Sequence, residues 1–340
     1  MKALFIGGTG TISMAITRSL ASNPDWELYL LNRGSRSAEL PSNVKVINVA
    51  DVNDEAAVAK AIGGMTFDTV CDFICFHKEQ VERNIRLFKG KTRQFMVISS
   101  ASAYQKPLSS HIVNEATPLA NPYWQYSREK IEIEERLMQE YRSNGFPITI
   151  IRPSHTYDER SIPRGVHGKN GSYQVIKRML EGKQVIVHGD GTSLWTMTHN
   201  SDFAKGFIGL MGNIHAIGES FQIISDEVLT WNQVYQSIAD ALGVEFKPCY
   251  VASSFLASVS DYDFTGSLIG DKANSVVFDC SKLKRAVPNY CATTRFDQGV
   301  RKTIANVLAT PSLQRLDPEF DAWCDKVIEA MEMAKKMVIG

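Results

Sequence analysis

Short apolar or β-branched runs alternate with amphipathic stretches through the first half of the chain. Runs at 3–6, 27–31, 44–49, 69–74, 94–99 and 148–152 read as strands, and 13–21, 55–61, 79–88 and 126–143 carry the spacing of helices. Strands joined through helices of this length pair in parallel, so the pattern predicts an α/β fold with a doubly wound parallel sheet. After Pro153 the regularity fades into a Gly/His/Lys-rich segment, a helix-like 172–181 and a strand-like 185–188 closed by Gly189-Asp190-Gly191. Thr230 suits the cap of a helix over 231–242 with Gly243 as its stop. Phe320, Trp323, Val327 and Met331 repeat at helical spacing behind Asp317-Pro318. The expected organisation is a dinucleotide-binding domain over 1–153, with segments returning over roughly 183–225. A smaller, mixed substrate lobe follows over roughly 154–182 and 226–315, and a C-terminal helix over 316–340.

Composition narrows the class. The 340 residues, 44% of them hydrophobic, suffice for a large core, and 37 basic against 37 acidic side chains give no bulk attraction to nucleic acid or to an anionic membrane. The six cysteines are scattered and read as reduced structural thiols, with no metal site expected. The opening apolar run breaks at glycine too early for a secretion signal, and no stretch approaches the roughly 18 apolar residues of a membrane span. A cytoplasmic location is expected.

The first strand runs into Gly7-Gly8-Thr9-Gly10-Thr11-Ile12-Ser13, which opens the first helix. Glycines there allow a tight turn and close backbone approach to a pyrophosphate at the positive end of the helix dipole, as in a Rossmann fold. Ser13 stands where a third glycine would ease helix packing. At the end of the second strand, Asn32-Arg33-Gly34 lacks the acidic side chain that would hold the ribose of NAD. Arg33, with Arg36 nearby, can face a 2'-phosphate instead, which leans towards NADP, or both are solvated loop arginines. Asp51, before Val52, either accepts from the adenine amino group or is an ordinary loop aspartate.

Tyr126 and Lys130 head a strongly helical stretch and project from one face, a turn apart. A phenol of ordinary pKa about 10 is a poor proton shuttle at neutral pH. An ammonium about 4 Å away at an effective dielectric near 20 contributes about 4 kcal/mol towards the phenolate, so a lowered tyrosine pKa is expected. The lysine can also hydrogen-bond the cofactor ribose. Ser99-Ser100 ends the strand 95–98, at the edge where open sheets bind ligands, and a serine hydroxyl there can hold the substrate oxygen.

With Gly7-Gly8-Thr9-Gly10, Ser99 to Tyr104, Asn114 to Pro118, the Tyr126/Lys130 pair and Arg152-Pro153-Ser154-His155-Thr156-Tyr157 in this order, the chain resembles the extended short-chain dehydrogenase/reductase superfamily, in its branch of NAD-dependent epimerases and dehydratases, over roughly residues 1–300. The resemblance implies Ser100, Tyr126 and Lys130 as the catalytic set, Pro153 and Ser154 beside the nicotinamide, and a possible homodimer. Ala101 and Ser102 occupy the positions where dehydratases of this branch carry Asp-Glu, which disfavours dehydration. Trp195 stands where nucleotide-sugar enzymes carry a phosphate-clamping arginine. It is either a platform for a sugar ring or a buried anchor. Lys272 can supply one charge near the substrate, and Ser102 and His155 are further candidate substrate contacts; His188 and His199 read as structural. The leading expectation is an epimerase of a sugar or sugar derivative, with NAD or NADP as cofactor and a small molecule, a carbohydrate, as its partner. A one-way NADPH-dependent reductase of an aldehyde or ketone is the alternative. A third reading is an idle nucleotide- or RNA-binding relative of the kind known among chloroplast stem-loop binding proteins.

Overall fold

The computed structural model describes residues 1–34 and 40–340. The chain runs β1 (Lys2–Ile6), α1 (Ser13–Ala21), β2 (Glu27–Asn32), β3 (Lys45–Asn48), α2 (Glu55–Ile62), β4 (Thr69–Asp72), α3 (Lys78–Phe88), β5 (Phe95–Ile98), β6 (Ile112–Val113), α4 (Gln125–Asn144) and β7 (Ile148–Arg152). It continues through β8 (His155–Tyr157), α5 (Tyr173–Leu180), β9 (Val185–His188), β10 (Leu194–Trp195), β11 (Met197–His199), α6 (Asn200–Leu210) and β12 (Glu219–Gln222). Last come β13 (Leu229–Thr230), α7 (Trp231–Leu242), β14 (Pro248–Val251), α8 (Ser253–Ser258), a π-helical turn at Thr265–Lys272, β15 (Val277–Phe278), α9 (Ser281–Ala286), α10 (Phe296–Ala309) and α11 (Pro318–Ile339).

Seven strands form one parallel sheet in the order β12-β7-β5-β4-β1-β2-β3. The chain leaves β1 in one direction to β2 and β3 and returns to its other side at β4. The crossovers diverge at that point, and a crevice opens beyond the carboxyl ends of the strands. Side chains of β1 alternate between two cores, as the strand period requires. Ala3 and Phe5 join Leu30, Phe203 and Phe207 under α1 and α6. Leu4 and Ile6 join Val70, Phe88, Phe95 and Ile133 on the opposite face, which α3 and α4 cover.

A third core, around Trp231, Tyr235, Ile186, Phe264 and Phe320, fills the second lobe. Helix α7 begins where its sequence says it should: Thr230 accepts from the Gln233 N–H, Gln233 answers at the Thr230 N–H, and Gly243 ends the helix at φ 70°. Of the segment expected to return to the sheet, Glu219–Gln222 does so beside β7, whereas Val185–His188 pairs with β14 on the second lobe. No helix among the described residues is long and apolar enough to cross a membrane.

Candidate active site

The turns after β1, β2 and β3 line a crevice of about 640 Å³ whose walls include Gly7, Thr9, Asn32, Arg33, Asp51 and Val52. Gly7 and Gly8 take φ values of 94° and 103°, and a Cβ on Gly8 would sit 2.9 Å from the Leu30 side chain. The loop therefore accepts only glycine at that position, and it passes through Gly10, Thr11 and Ile12 into the N-terminus of α1. Ser13 is buried, and its hydroxyl accepts from the Gly10 N–H at 2.9 Å, so the side chain in the third-glycine position braces the loop. Positive-φ glycines at a helix N-terminus beside a crevice of this size fit a dinucleotide.

Other parts of this crevice differ from a simple reading of the loop. Arg33 is exposed on its rim, the Asn32 side chain accepts from the Gly34 N–H at 2.7 Å, and Asp51 Oδ1 accepts from the Asn53 backbone at 2.8 Å. Arg36 lies outside the described residues. Arg160, on the loop after β8, reaches the glycine-rich loop at Thr9 O (3.5 Å) and Thr11 Oγ1 (3.4 Å) while pairing with Asp158 at 2.6 Å. It puts a cation against the glycine-rich loop from 151 positions further along the chain, and nothing local in sequence marks it for that place.

A second cavity, about 290 Å³, adjoins the end of β5 and gathers Ser100, Ser102, Tyr126, Pro153, Ser154, His155, Trp195 and Lys272. The sequence reading named all of these; Trp124 and Asp271, which also line it, were missed. Helix α4 presents Tyr126 to it, while Lys130, one turn on, is buried and lines neither this cavity nor the crevice; a buried pair fixes the helix. Arg152, at the end of β7, forks onto Glu134 with Nη2 2.5 Å from Oε2 and Nε 2.9 Å from Oε1, and Ser99 donates to the same carboxylate. Both charged groups are almost fully buried. A bidentate fork of this kind specifies the roll of α4 as well as its distance from the sheet.

The ionisation of Tyr126 departs from expectation. Burial pushes its phenol up to about 12, only partly opposed by a hydrogen bond with Ser100, and the Asp271 charge adds to the rise. The Lys130 ammonium stands 5.6 Å from the Tyr126 ring centre and donates to Cys75 O at 2.5 Å and Ile98 O at 2.8 Å. The ammonium is engaged by these two carbonyls, and desolvation sets the direction of the Tyr126 shift. An ammonium has three donors, so these two bonds leave one N–H over, and the group stands 4.7 Å from the Phe76 ring centre.

Ser100 and Ser102 share a hydrogen bond of 2.9 Å, and Ser127 donates to Ser102 at 2.8 Å. Trp195 is 2% exposed and packs edge-on against Phe278, with its indole N–H unpartnered among the described residues. It is therefore an anchor of the second lobe and a wall of the cavity at once. Burial, reinforced by Lys272, Arg164 and His167, holds the His155 imidazole well below its ordinary range and hence neutral. Ser154 donates to Thr196 O at 3.3 Å, and the Pro153 carbonyl accepts from the Ala101 N–H at 2.9 Å, which closes the floor between β5 and β7.

Residues 3–223 match the model of the NAD dependent epimerase/dehydratase family. The chain belongs to this family. It is an NAD-dependent enzyme of the extended short-chain dehydrogenase/reductase type. Among curated relatives, 2'-dehydrokanamycin reductase of Streptomyces kanamyceticus is 24% identical over 291 residues, 85% of this chain and 80% of that protein. A chloroplast stem-loop binding protein of 41 kDa from Arabidopsis thaliana is 26% identical over 256 residues, 71% of this chain and 63% of that protein. UDP-glucuronic acid 4-epimerase from Bacillus cereus, solved with NAD, has a TM-score of 0.72 at 19% identity, covering 93% of this chain and 100% of that one. At that identity the likeness concerns the fold.

Proposed function

We propose that this enzyme epimerises a carbinol carbon of a sugar derivative through a transient ketone, with Tyr126 as the acid/base. One observation carries the reading: Tyr126 and Ser100 share a cavity with the half-buried Trp124, an aromatic side chain suited to a sugar ring, at the carboxyl edge of the sheet. Gly7 to Ile12 would hold the pyrophosphate of the dinucleotide, Lys130 its ribose, and Pro153 and Ser154 would lie at its nicotinamide end. Bound there, the cofactor supplies a hydride acceptor and donor. Ser100 holds the substrate oxygen, and Tyr126 exchanges a proton with it as the carbon passes between alcohol and ketone. With its phenol near 12, Tyr126 holds its proton at neutral pH, so the site stands ready to protonate a carbonyl oxygen. Relatives described as a UDP-glucose epimerase and as sugar dehydratases support a carbohydrate substrate.

A second reading, a one-way reductase, is favoured by the relative named 2'-dehydrokanamycin reductase, which spans most of this chain, and by exposed Arg33 at the ribose end of the crevice. Mass spectrometry of the nucleotide that copurifies with the protein, followed by turnover assays, separates the two. Retained NAD+ with interconversion of sugars and no net change in NADH supports epimerisation. Steady consumption of NADH or NADPH by a keto sugar supports the reductase, and no hydride transfer in either assay sinks both.

A further inference from the structure

The absence of an Asp-Glu pair after Ser100 leaves the β5 end of the cavity without a carboxyl group, yet the second lobe brings one in. Asp271 lies on the π-helical turn, is 8% exposed and lines the cavity that holds Ser100 and Tyr126. Its Oδ1 is fully buried and has no hydrogen-bond partner among the described residues. A buried carboxylate oxygen left unpaired is costly, and native proteins rarely tolerate one without a use for it.

The turn that carries it is held at both ends. Asn121 donates to Gly270 O at 2.7 Å and to Ser102 O at 2.7 Å, which ties the turn to the segment after β5. Lys272 O accepts from the Trp231 indole at 3.2 Å, from His188 Nε2 at 3.2 Å and from Ser193 at 3.3 Å. Gly266 lies so close to Trp124 that a Cβ would approach its ring to 2.1 Å. The main chain on each side of Asp271 is thus fixed and satisfied, while its carboxyl is not. π-Turns of this kind recur at functional sites. Of the groups facing Asp271, Lys272 is on the same turn, Lys106 on the loop after β5 and Tyr126 on α4. Neither lysine forms an ion pair with it, and burial raises its carboxyl against their pull. The Asp271 charge is felt at the Tyr126 phenol, with which it shares the cavity.

We propose that Asp271 is a second proton-transfer residue of the cavity, acting at the substrate carbon next to the carbonyl. The inference rests on the ketone chemistry proposed above. Once the carbinol is a ketone, the neighbouring C–H bond is acidified. The Asp271 carboxylate takes that proton and the C–H bond breaks. The electron pair moves into a carbon–carbon double bond and onto the carbonyl oxygen, which the Tyr126 and Ser100 hydroxyls hold. Return of the proton from the Asp271 carboxyl restores the ketone, with no gain or loss of electrons. The enzyme thereby gains access to the centre beside the one it oxidises, a reach invisible at Ala101 and Ser102 because the carboxyl group comes from Asp271, far along the chain.

The test uses the full chain saturated with NAD+ in D2O, with 2'-dehydrokanamycin and UDP-4-keto-6-deoxy-D-glucose as separate keto-sugar probes. Deuterium uptake beside the carbonyl is followed by NMR and mass spectrometry, and NADH-driven reduction of each probe is measured in parallel. Expected is uptake well above a protein-free control for at least one probe, rising with pH as the Asp271 carboxylate forms. In Asp271→Asn, uptake falls about 100-fold, the acid limb of the profile disappears, and the ratio of uptake to reduction drops at least tenfold, on the scale of a lost general base. NAD+ affinity of the variant reports that it has folded. The proposal is overturned if the wild type exchanges no faster than the control with either probe, or if Asp271→Asn keeps the wild-type ratio and pH profile. Exchange without any reduction would instead sink the hydride-transfer reading and leave Asp271 standing.

Discussion

The larger crevice is lined mainly by the turns that directly follow β1, β2 and β3, with Ile74, Phe76 and Gln80 closing it, whereas the smaller cavity collects Ser100, Tyr126, Ser154, Trp195 and Asp271 from five separate stretches of chain. In the crevice, recognition falls largely to backbone and to glycine conformation, so each turn carries its own share of the site. In the cavity, recognition falls to side chains whose positions depend on the roll of α4, the clamp on the π-turn and the docking of the second lobe. One region is assembled by local geometry and the other by tertiary packing. On the function proposed above, the chemistry uses both regions and the identity of the substrate is set in the second.

The sharpest way to break this contrast is at Tyr126. Tyr126→Phe should lower hydride transfer by about 10² to 10⁴-fold, the range for loss of a positioned proton donor, while the dissociation constant for NAD+ changes little. A fall in cofactor affinity as large as the fall in rate would mean that the two regions are not separable.

Next in size is the brace that aims α4. Glu134→Ala leaves the Arg152 guanidinium buried without its partner, and urea unfolding should report a loss of about 3–5 kcal/mol. Activity in the folded fraction should fall as well, because the same fork sets where Tyr126 points. A stability loss below about 1 kcal/mol would show that the pair contributes little to either role.

At the crevice the expected effects are smaller. If Arg33 meets a 2'-phosphate, Arg33→Ala should shift the ratio of NADPH to NADH affinity about tenfold towards NADH, the worth of one hydrogen bond to a charged group. An unchanged ratio marks Arg33 as a solvated loop residue.

The smallest effect is a slope with pH. Burial lowers His188 from an ordinary 6.5 to about 4, and His167 likewise. The folded state favours their neutral forms, so this contribution is complete above pH 6.5. It is lost as pH falls from 6.5 towards 4, where the unfolded chain takes up protons that the native state resists. The urea midpoint should therefore decline across that window, and His188→Gln should flatten the decline.

Much of the fold was legible because its signals are local. The limits of α1 and β7 and the cap and stop of α7 coincide with the sequence reading, since periodicity, Thr230 and Gly243 act within a few residues of where they stand. Strand β9 was harder to assign, because an apolar run of four residues carries no mark of which sheet will accept it. The tyrosine is the clearest lesson at the site. Its pairing with Lys130 was visible as a four-residue spacing, but the sign of its pKa shift depends on burial, with a further push from Asp271, which no spacing reveals.

The sequence by itself determined the parallel α/β fold, the glycine turn that only a positive φ can build, and the Tyr126/Lys130 face of α4. Each follows from short-range sterics and periodicity. The tertiary structure alone decided that Trp195 is both anchor and wall, that Arg160 reaches the glycine-rich loop, and that Asp271 shares a cavity with Tyr126 while one of its oxygens stays unpaired. Those facts depend on which side chains desolvate one another across the interface of the two lobes, and contacts made over more than a hundred positions leave no periodic trace in the chain.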